Sequence, residues 1–194
     1  FFIFSIYSRE KVLVSRENFL QSFFSGVLFH GLYLGGVFYS ISIGMPTGIA
    51  ALIVTLQPVL TNALSGPFLN EKVSLKQWIG VLLGFAGAAI VLGFDIGSKI
   101  PIAGLLASII ALLAITFSTI WQKKLSNNLP LSVSNMNQAL GGCIFHLSII
   151  IFLIDPYIEF SQTFIIAMGH QIFLVSFGAF TILMYLIKNN SASK

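Results

Sequence analysis

Long apolar runs alternate with short polar stretches along almost the whole chain. Two of these runs, 48–69 and 78–94, contain no Asp, Glu, Lys or Arg. Each run is about long enough to cross a bilayer, because roughly 20 helical residues span the hydrocarbon. The opening FFIFSIY is too short for that, and we expect it to be the end of a helix that begins before this sequence. The pattern predicts six complete membrane-spanning helices, at 20–43, 48–69, 76–94, 100–122, 131–154 and 164–187.

A short polar turn between the second and third runs predicts a transmembrane helical hairpin. The turn, 70–74, has the sequence NEKVS. Ser74 and Gln77 form an S-x-x-Q pattern, which predicts a capping box that satisfies two backbone N–H groups at the start of a helix. The third membrane helix is therefore expected to begin next to Ser74.

This hairpin resembles a known family of membrane proteins. Pro58 lies within its first helix, Asn70-Glu71 ends that helix, and a QWxG motif beginning at Gln77 leads into a glycine-rich second helix. This order and spacing is similar to that of the EamA-like transporters of the drug/metabolite transporter superfamily. That family usually has Gly-Glu at the turn, where this chain has Asn70-Glu71.

The resemblance implies an architecture and an activity. Transporters of this kind have ten helices in two inverted five-helix repeats. Residues 1–96 would then be the first repeat, incomplete at its N-terminus, and residues 97–194 the second, incomplete at its C-terminus. The implied activity is secondary transport of small metabolites, with amino acids among the candidates, by alternating access between the two repeats.

The composition independently indicates an all-α, polytopic helical membrane protein with the lipid bilayer as its surroundings. Hydrophobic residues make up 56% of the chain and charged residues 8%, whereas soluble domains carry about 25% charged residues. The net charge of +4 does not indicate a nucleic-acid partner, because the basic residues are spread over several loops. A single cysteine, Cys143, excludes a disulfide framework within the chain. The pattern does not indicate an oligomeric state.

The basic residues predict the orientation of the chain in the membrane. Nine of the ten lie in loops on one side of the six predicted helices, and only Lys99 lies on the other. The positive-inside rule places the nine in the cytoplasm. With the resemblance, this predicts a multi-pass protein of the bacterial inner membrane. The predicted cytoplasmic loops are those near Arg9–Arg16, Lys72–Lys76, Lys123–Lys124 and Lys188–Lys194.

The acidic residues bear on the choice between a transporter and an enzyme. All six lie in loops or at the ends of the predicted helices. A charged side chain at mid-membrane is costly by about 2.5–3.5 kcal/mol and is usually retained for a function. No buried acid pair, H-E-x-x-H, G-x-S-x-G or P-loop pattern occurs. The sequence therefore predicts no catalytic residues, no metal and no cofactor.

Uncharged polar residues in the second span suggest a substrate path. Pro58 cannot donate to the carbonyl of Val54, so we expect the helix to kink there. Thr55, Gln57 and Asn62 lie on or beside the same face, and irregular backbone at this depth is tolerated where it lines a cavity. The alternative is that the two amides bridge neighbouring helices.

Other spans contribute to the same predicted path. His30 lies near mid-membrane, where an ionisable residue suggests a site, although a neutral histidine bonded to a neighbouring helix is an equal alternative. In the fifth span, Asn135, Gln138, Gly142 and His146 share one side, and we take Gln138 and His146 as the candidates. The predicted path comprises His30, Tyr33, Tyr39, Thr55, Gln57, Asn62, Gln138, His146 and Tyr185.

Small residues predict two helix-packing surfaces. Gly31-x-x-x-Gly35 allows close approach of another helix, and Gly80, Gly84 and Ala88 form a stripe of small residues on the third span. The function predicted from all these features is a secondary transporter of small metabolites. The alternative is a non-transporting integral membrane scaffold or regulatory subunit, which needs packing surfaces but no polar path.

Overall fold

Every regular element in the described part of the chain is a helix, as predicted. The computed structural model describes residues 14–69, 73–92, 100–125, 129–153 and 157–189. The helix α7 runs through three consecutive segments, Gln162–Gly169, His170–Ala179 and Phe180–Asn189. The other helices are α1 (Arg16–Ser42), α2 (Thr47–Val54), α3 (Gln57–Leu69), α4 (Leu75–Leu92), α5 (Ile102–Leu125) and α6 (Leu131–Leu153).

Five of the six predicted membrane spans are confirmed as helices of sufficient length and apolarity. They are Arg16–Ser42, Thr47–Leu69, Ile102–Leu125, Leu131–Phe152 and Gln162–Leu183. The remaining one corresponds to α4, an 18-residue helix. Residues 93–99 lie outside the described ranges, as does the opening segment 1–13. A sixth complete span and the N-terminal helix end therefore stay predictions.

The turn between α1 and α2 requires glycine. Gly44 has φ +93°, a backbone conformation that side chains with a Cβ rarely adopt. The Gly44 N–H donates to the Ile41 carbonyl at 3.0 Å, and the Met45 N–H donates to the Ser40 carbonyl at 3.0 Å. These two bonds form a Schellman motif, which satisfies carbonyls at the end of α1. The chain can therefore reverse direction within a few residues.

The predicted capping box at the start of α4 is confirmed. The Ser74 N–H donates to Gln77 Oε1 at 2.8 Å, and the Gln77 N–H donates to Ser74 Oγ at 3.3 Å. Each side chain thus satisfies a backbone donor of the other, which fixes the first turn of the helix.

The second membrane span is interrupted rather than continuous. Helix α2 ends at Val54, residues 55–56 form a turn, and α3 begins at Gln57. Pro58 therefore lies in the first turn of α3, where a missing backbone N–H is tolerated. A second proline, Pro67, lies inside α3 and was not singled out from the sequence.

Two membrane helices contain π-helical stretches that the sequence did not predict. Val27–Leu34 is π-helical within α1, and His170–Ala179 is π-helical within α7. A π-helix has i→i+5 hydrogen bonds and is often found at functional sites. The stretch in α1 includes His30 and Tyr33, two residues of the predicted path.

Helices α1 and α6 approach each other closely through glycines on both. A Cβ at Gly26 would overlap the backbone of Gln138, and one at Gly141 would overlap the Phe23 carbonyl. A Cβ at Gly31 would lie 2.7 Å from Phe145 Cδ1. Gly35 belongs to the same interface, 3.2 Å from His146 Cε1 by the same construction. Helix α5 packs against α1, α2, α3 and α7 and so occupies the centre of the bundle.

The predicted packing surface on α4 has no partner in the described part of the chain. No described atom lies within 4 Å of a Cβ built at Gly80 or Gly84, and the side chain of Ala88 lies outside the described set. Helix α4 packs against α2 and α3 instead. Packing through this stripe stays a prediction.

Polar side chains are prominent in the interior of the bundle, and large apolar ones lie on its outside. Ser25, Ser118 and Gln138 are each fully buried, whereas Ile90 is 80% and Phe152 is 79% exposed. Lipid tails are as apolar as leucine, so outward-facing apolar residues are compatible with a bilayer. Some of the buried hydroxyl and amide groups join helices through hydrogen bonds, as between Ser25 and Ser118 and between Asn137 and Ser22.

Candidate functional site

One cavity forms where α2 and α3 meet, and we call it the proline cleft. Its volume is about 530 Å³. Thr55, Gln57 and Pro58 supply one wall at the helix interruption, and the small residues Gly80 and Gly84 of α4 leave space opposite. The remaining lining residues are Tyr33, Val54, Val81, Phe85 and Ile115.

Gln57 connects the proline cleft to the centre of the bundle. Its Nε2 donates to Thr61 Oγ1 at 3.0 Å and to Thr119 Oγ1 of α5 at 3.4 Å. The Thr55 hydroxyl donates to the Leu52 carbonyl at 2.7 Å. The polar groups of this cleft are uncharged, so they are suited to hydrogen bonding and not to ion pairing.

A second cavity lies between α1, α6 and α7, and we call it the histidine cavity. Its volume is about 550 Å³. His146 Nε2 lies 2.9 Å from the backbone carbonyl oxygen of His30. Because a carbonyl oxygen can only accept, Nε2 must carry a proton, and Nδ1 of a neutral imidazole is then an acceptor. The other lining residues are Leu34, Asn135, Ala139, Gly142, Cys143, Met168 and Ser176.

Asn135 is a polar residue of this cavity that was not predicted to lie on the path. It is 1% exposed, and neither its Oδ1 nor its Nδ2 has a hydrogen-bond partner among the described residues. Buried polar groups are normally bonded, so such an exception requires an explanation. Its place on the same side of α6 as Gly142 and His146 was the signal in the sequence.

Gln138 lies in a hydrogen-bond network and is not among the described residues that line either cavity. Its Oε1 accepts from Gln122 Nε2 at 2.9 Å, and its Nε2 donates to Ser134 Oγ at 3.0 Å. Gln122 Nε2 also donates to Ser118 Oγ at 3.0 Å. The hydroxyl oxygens of Ser118 and Ser25 of α1 lie 3.1 Å apart. We call these five residues the amide network. It joins α1, α5 and α6.

The remaining path candidates are placed elsewhere. Asn62 is 3% exposed, and its amide has no hydrogen-bond partner within the described ranges. Tyr39 is 55% and Tyr185 is 60% exposed. None of the three is among the described lining residues of the two cavities. Five of the nine residues of the predicted path thus line one of the two cavities. Tyr33, Thr55 and Gln57 line the proline cleft, and His30 and His146 line the histidine cavity.

Neither cavity contains a carboxylate, a lysine or an arginine side chain among the described lining residues. Nor do the described residues include a group of three His, Cys, Asp or Glu side chains that could hold a metal ion. The described lining residues of both cavities offer hydrogen bonds and apolar or aromatic contacts.

Comparison with known proteins shows that this chain is similar to membrane transporters. Residues 1–93 match the EamA-like transporter family. An uncharacterized transporter of Bacillus subtilis, YvbV, is 28% identical over 163 residues, which cover 78% of this chain and 52% of that protein. A probable amino-acid metabolite efflux pump of Salmonella typhimurium is 27% identical over 95 residues, covering 48% of this chain and 32% of the pump. No solved structure matches the chain.

The matched relatives are longer than this chain. An uncharacterized transporter of Archaeoglobus fulgidus is 25% identical over 111 residues, which are 57% of this chain and 37% of that protein. The chain thus spans about half or less of the length of these curated relatives. The family match falls on the segment with Pro58 and the QWxG motif, and the relatives are named as transporters or a pump. The chain is thus similar to EamA-like transporters, through the family match over residues 1–93 and through these relatives.

Proposed function

We propose that the chain provides the substrate-binding part of a secondary transporter that moves small metabolites across a bacterial inner membrane. The family match and the names of the relatives support membrane transport. The proposed mechanism is alternating access between two inverted repeats, 1–96 and 97–194. The proposed orientation has the basic loops in the cytoplasm.

The observation that carries this proposal is the helix interruption at the proline cleft. Thr55 and Leu56 separate α2 from α3 at a depth where every backbone polar group must find a partner. Secondary transporters commonly bind substrates at such discontinuous helices near the membrane midplane. Tyr33, Gln57 and the small Gly84 surround this interruption and leave room for a metabolite.

Amino acids or their metabolites are the proposed substrate class. The Salmonella relative is named as a probable amino-acid metabolite efflux pump. The N-terminus of α3 lies at the cleft, and the positive end of a helix dipole favours a carboxylate. The hydroxyl and amide groups of Thr55 and Gln57 provide hydrogen bonds to the rest of a small polar molecule.

Uptake into vesicles tests the role of the cleft. Full-length protein with Gln57→Leu is reconstituted and supplied with a panel of labelled amino acids. We expect transport to be abolished at an unchanged level of folded protein. The matched control is Gln21→Leu, which removes an amide whose described bond is to the nearby Glu17 at 3.0 Å. Undiminished transport by Gln57→Leu would remove the cleft from the path.

A non-transporting scaffold is the second candidate function. The amide network favours it, because the buried polar groups of that network connect α1, α5 and α6. Cysteine labelling separates the two functions. In a Cys143→Ser background, Thr55→Cys and Gln57→Cys are treated with a membrane-impermeant maleimide. A transporter predicts labelling that substrate reduces, whereas a scaffold predicts none. The control is Ser118→Cys, because Ser118 is fully buried and should stay unlabelled.

A further inference from the structure

We propose that the histidine cavity binds an uncharged planar group that presents a hydrogen-bond donor and a hydrogen-bond acceptor side by side, as in a primary carboxamide, a lactam or a nucleobase edge. Asn135 is the residue that would recognise it. His30 and His146 belong to the proposed path, so this inference rests on the proposed function for the ligand's role as a substrate. Binding itself is measured separately from transport.

The first argument is that the buried Asn135 amide has no described hydrogen-bond partner. Asn135 is 1% exposed, lines the cavity, and has no described partner for either amide atom. Asn137 is also 1% exposed, but its Nδ2 donates to Ser22 Oγ at 3.1 Å. Neighbouring amides of the same helix are therefore satisfied where they meet a partner helix. Asn135 instead lines the cavity, and its amide has both a donor and an acceptor without a described partner.

The second argument is the absence of charge around that amide. The described lining contains no Lys, Arg, Asp or Glu. The bond from His146 Nε2 to the His30 carbonyl leaves Nδ1 as an acceptor in a neutral imidazole. Beside neutral imidazoles, a carboxylate or an ammonium group would lose its hydration without gaining an opposite charge, which is unfavourable. An amide-like edge would exchange its water hydrogen bonds for those of Asn135.

The third argument is the size and lining of the cavity. Its volume of about 550 Å³ lies within the range of small-molecule sites. Leu34 and Met168 add apolar surface, and methionine sulfur contacts aromatic rings favourably. An asparagine side chain forms paired hydrogen bonds with an adenine edge in other proteins, so the geometry suits a flat ligand of this kind.

Three probes of nearly equal shape test the inference on the purified full-length protein in detergent. Nicotinamide has the donor and acceptor pair, 3-acetylpyridine has only the acceptor, and nicotinate has a negative charge. We expect nicotinamide to bind at least about tenfold more tightly than either of the others, because each analogue leaves part of the Asn135 amide unsatisfied. Equal binding of all three, or tighter binding of nicotinate, would overturn the proposal, as would no binding of nicotinamide.

Variants assign the effect to Asn135. We expect Asn135→Ala to weaken nicotinamide binding at least about tenfold, to the level of 3-acetylpyridine. Asn137→Ala is the matched control and should bind nicotinamide as the wild type does, because its described hydrogen bond is to Ser22. Size-exclusion chromatography checks that both variants are folded. The probe series uses the wild-type protein alone, so it still tests the inference if either variant folds poorly.

The two proposals fail in distinguishable ways. If vesicles containing the wild type take up no metabolite while the probe series follows the expected order, the proposed transport is wrong and the binding site stands. If uptake depends on Gln57 but nicotinamide binds no better than nicotinate, transport stands and the Asn135 site is wrong.

Discussion

The substitution Gln138→Leu tests whether Gln138 stabilises the helix bundle or lines the substrate path. Its position on the helix predicted the path, whereas its hydrogen bonds indicate a structural role. Gln138 is fully buried, accepts a hydrogen bond from Gln122 at 2.9 Å and donates one to Ser134 at 3.0 Å. Leucine has a similar shape but can make neither bond. We therefore expect the variant to lose stability while the capacity for transport per folded molecule is retained.

The size of the loss follows from the two bonds. Side-chain hydrogen bonds in membrane proteins contribute about 0.6 kcal/mol on average and about 1.7 kcal/mol at most. Two such bonds give a loss of roughly 1 kcal/mol. Gln122 keeps its bond to Ser118 Oγ at 3.0 Å, which limits the penalty on its amide group. In a double-mutant cycle, Gln122→Leu and Gln138→Leu should couple by about 0.6 kcal/mol.

The free energy of unfolding is measured in mixed detergent micelles through tryptophan fluorescence. Trp121 is a suitable reporter, because its ring centroid lies 5.7 Å from that of Phe24 across the α1–α5 contact. Uptake into vesicles is measured in parallel and normalised to folded protein. Full stability with abolished uptake would refute our assignment and return Gln138 to the path. A coupling energy near zero would show that the bond to Gln122 contributes nothing.

Three further predictions concern the backbone and the topology. Gly44→Ala should lower the free energy of unfolding by about 1–2 kcal/mol, because φ is +93° there; unchanged stability would contradict this. Gly26→Ala should lower it by about 1–3 kcal/mol through overlap with α6, whereas Gly84→Ala should raise it by about 0.5–1 kcal/mol; equal effects would be inconsistent with the glycine interface. Reporter fusions after Lys72 and Lys124 should both report a cytoplasmic location, and opposite locations would disprove the predicted orientation.

Features that depend on neighbours within one helical turn were predictable from the sequence. The capping box needs only Ser74 and Gln77, which are three residues apart, and both bonds form as expected. The membrane helices are similarly local, because a continuous apolar run is enough to predict each one. Five of these helices are confirmed.

Features that depend on a distant partner were not predictable. Asn135 and Gln138 share one side of α6, and helical periodicity gave no reason to separate them. Gln138 is hydrogen-bonded to Gln122 of α5, whereas Asn135 is among the residues that line the histidine cavity. The assignment of one to the amide network and of the other to a cavity therefore required the packing of α1, α5 and α6. The π-helical stretch Val27–Leu34 likewise has no composition that separates it from an ordinary apolar helix.

The glycine stripes show the same limit. Gly31 and Gly80 both belong to stripes of small residues, and spacing alone predicted a packing surface for each. The structure places Phe145 against Gly31, while Gly80 lines the proline cleft. Small residues permit either close packing or open space, and the neighbouring helix decides between them.

The contact between α1 and α6 has a consequence for how the protein is made. Ser22 and Asn137, which are hydrogen-bonded across this contact, are 115 residues apart in the chain. At a synthesis rate of about 5–20 residues per second, Ser22 is made roughly 6–23 seconds before its partner. During that interval the small-residue face of α1 has no α6 to meet. We therefore expect the nascent chain to benefit from contact with the insertion machinery during this interval.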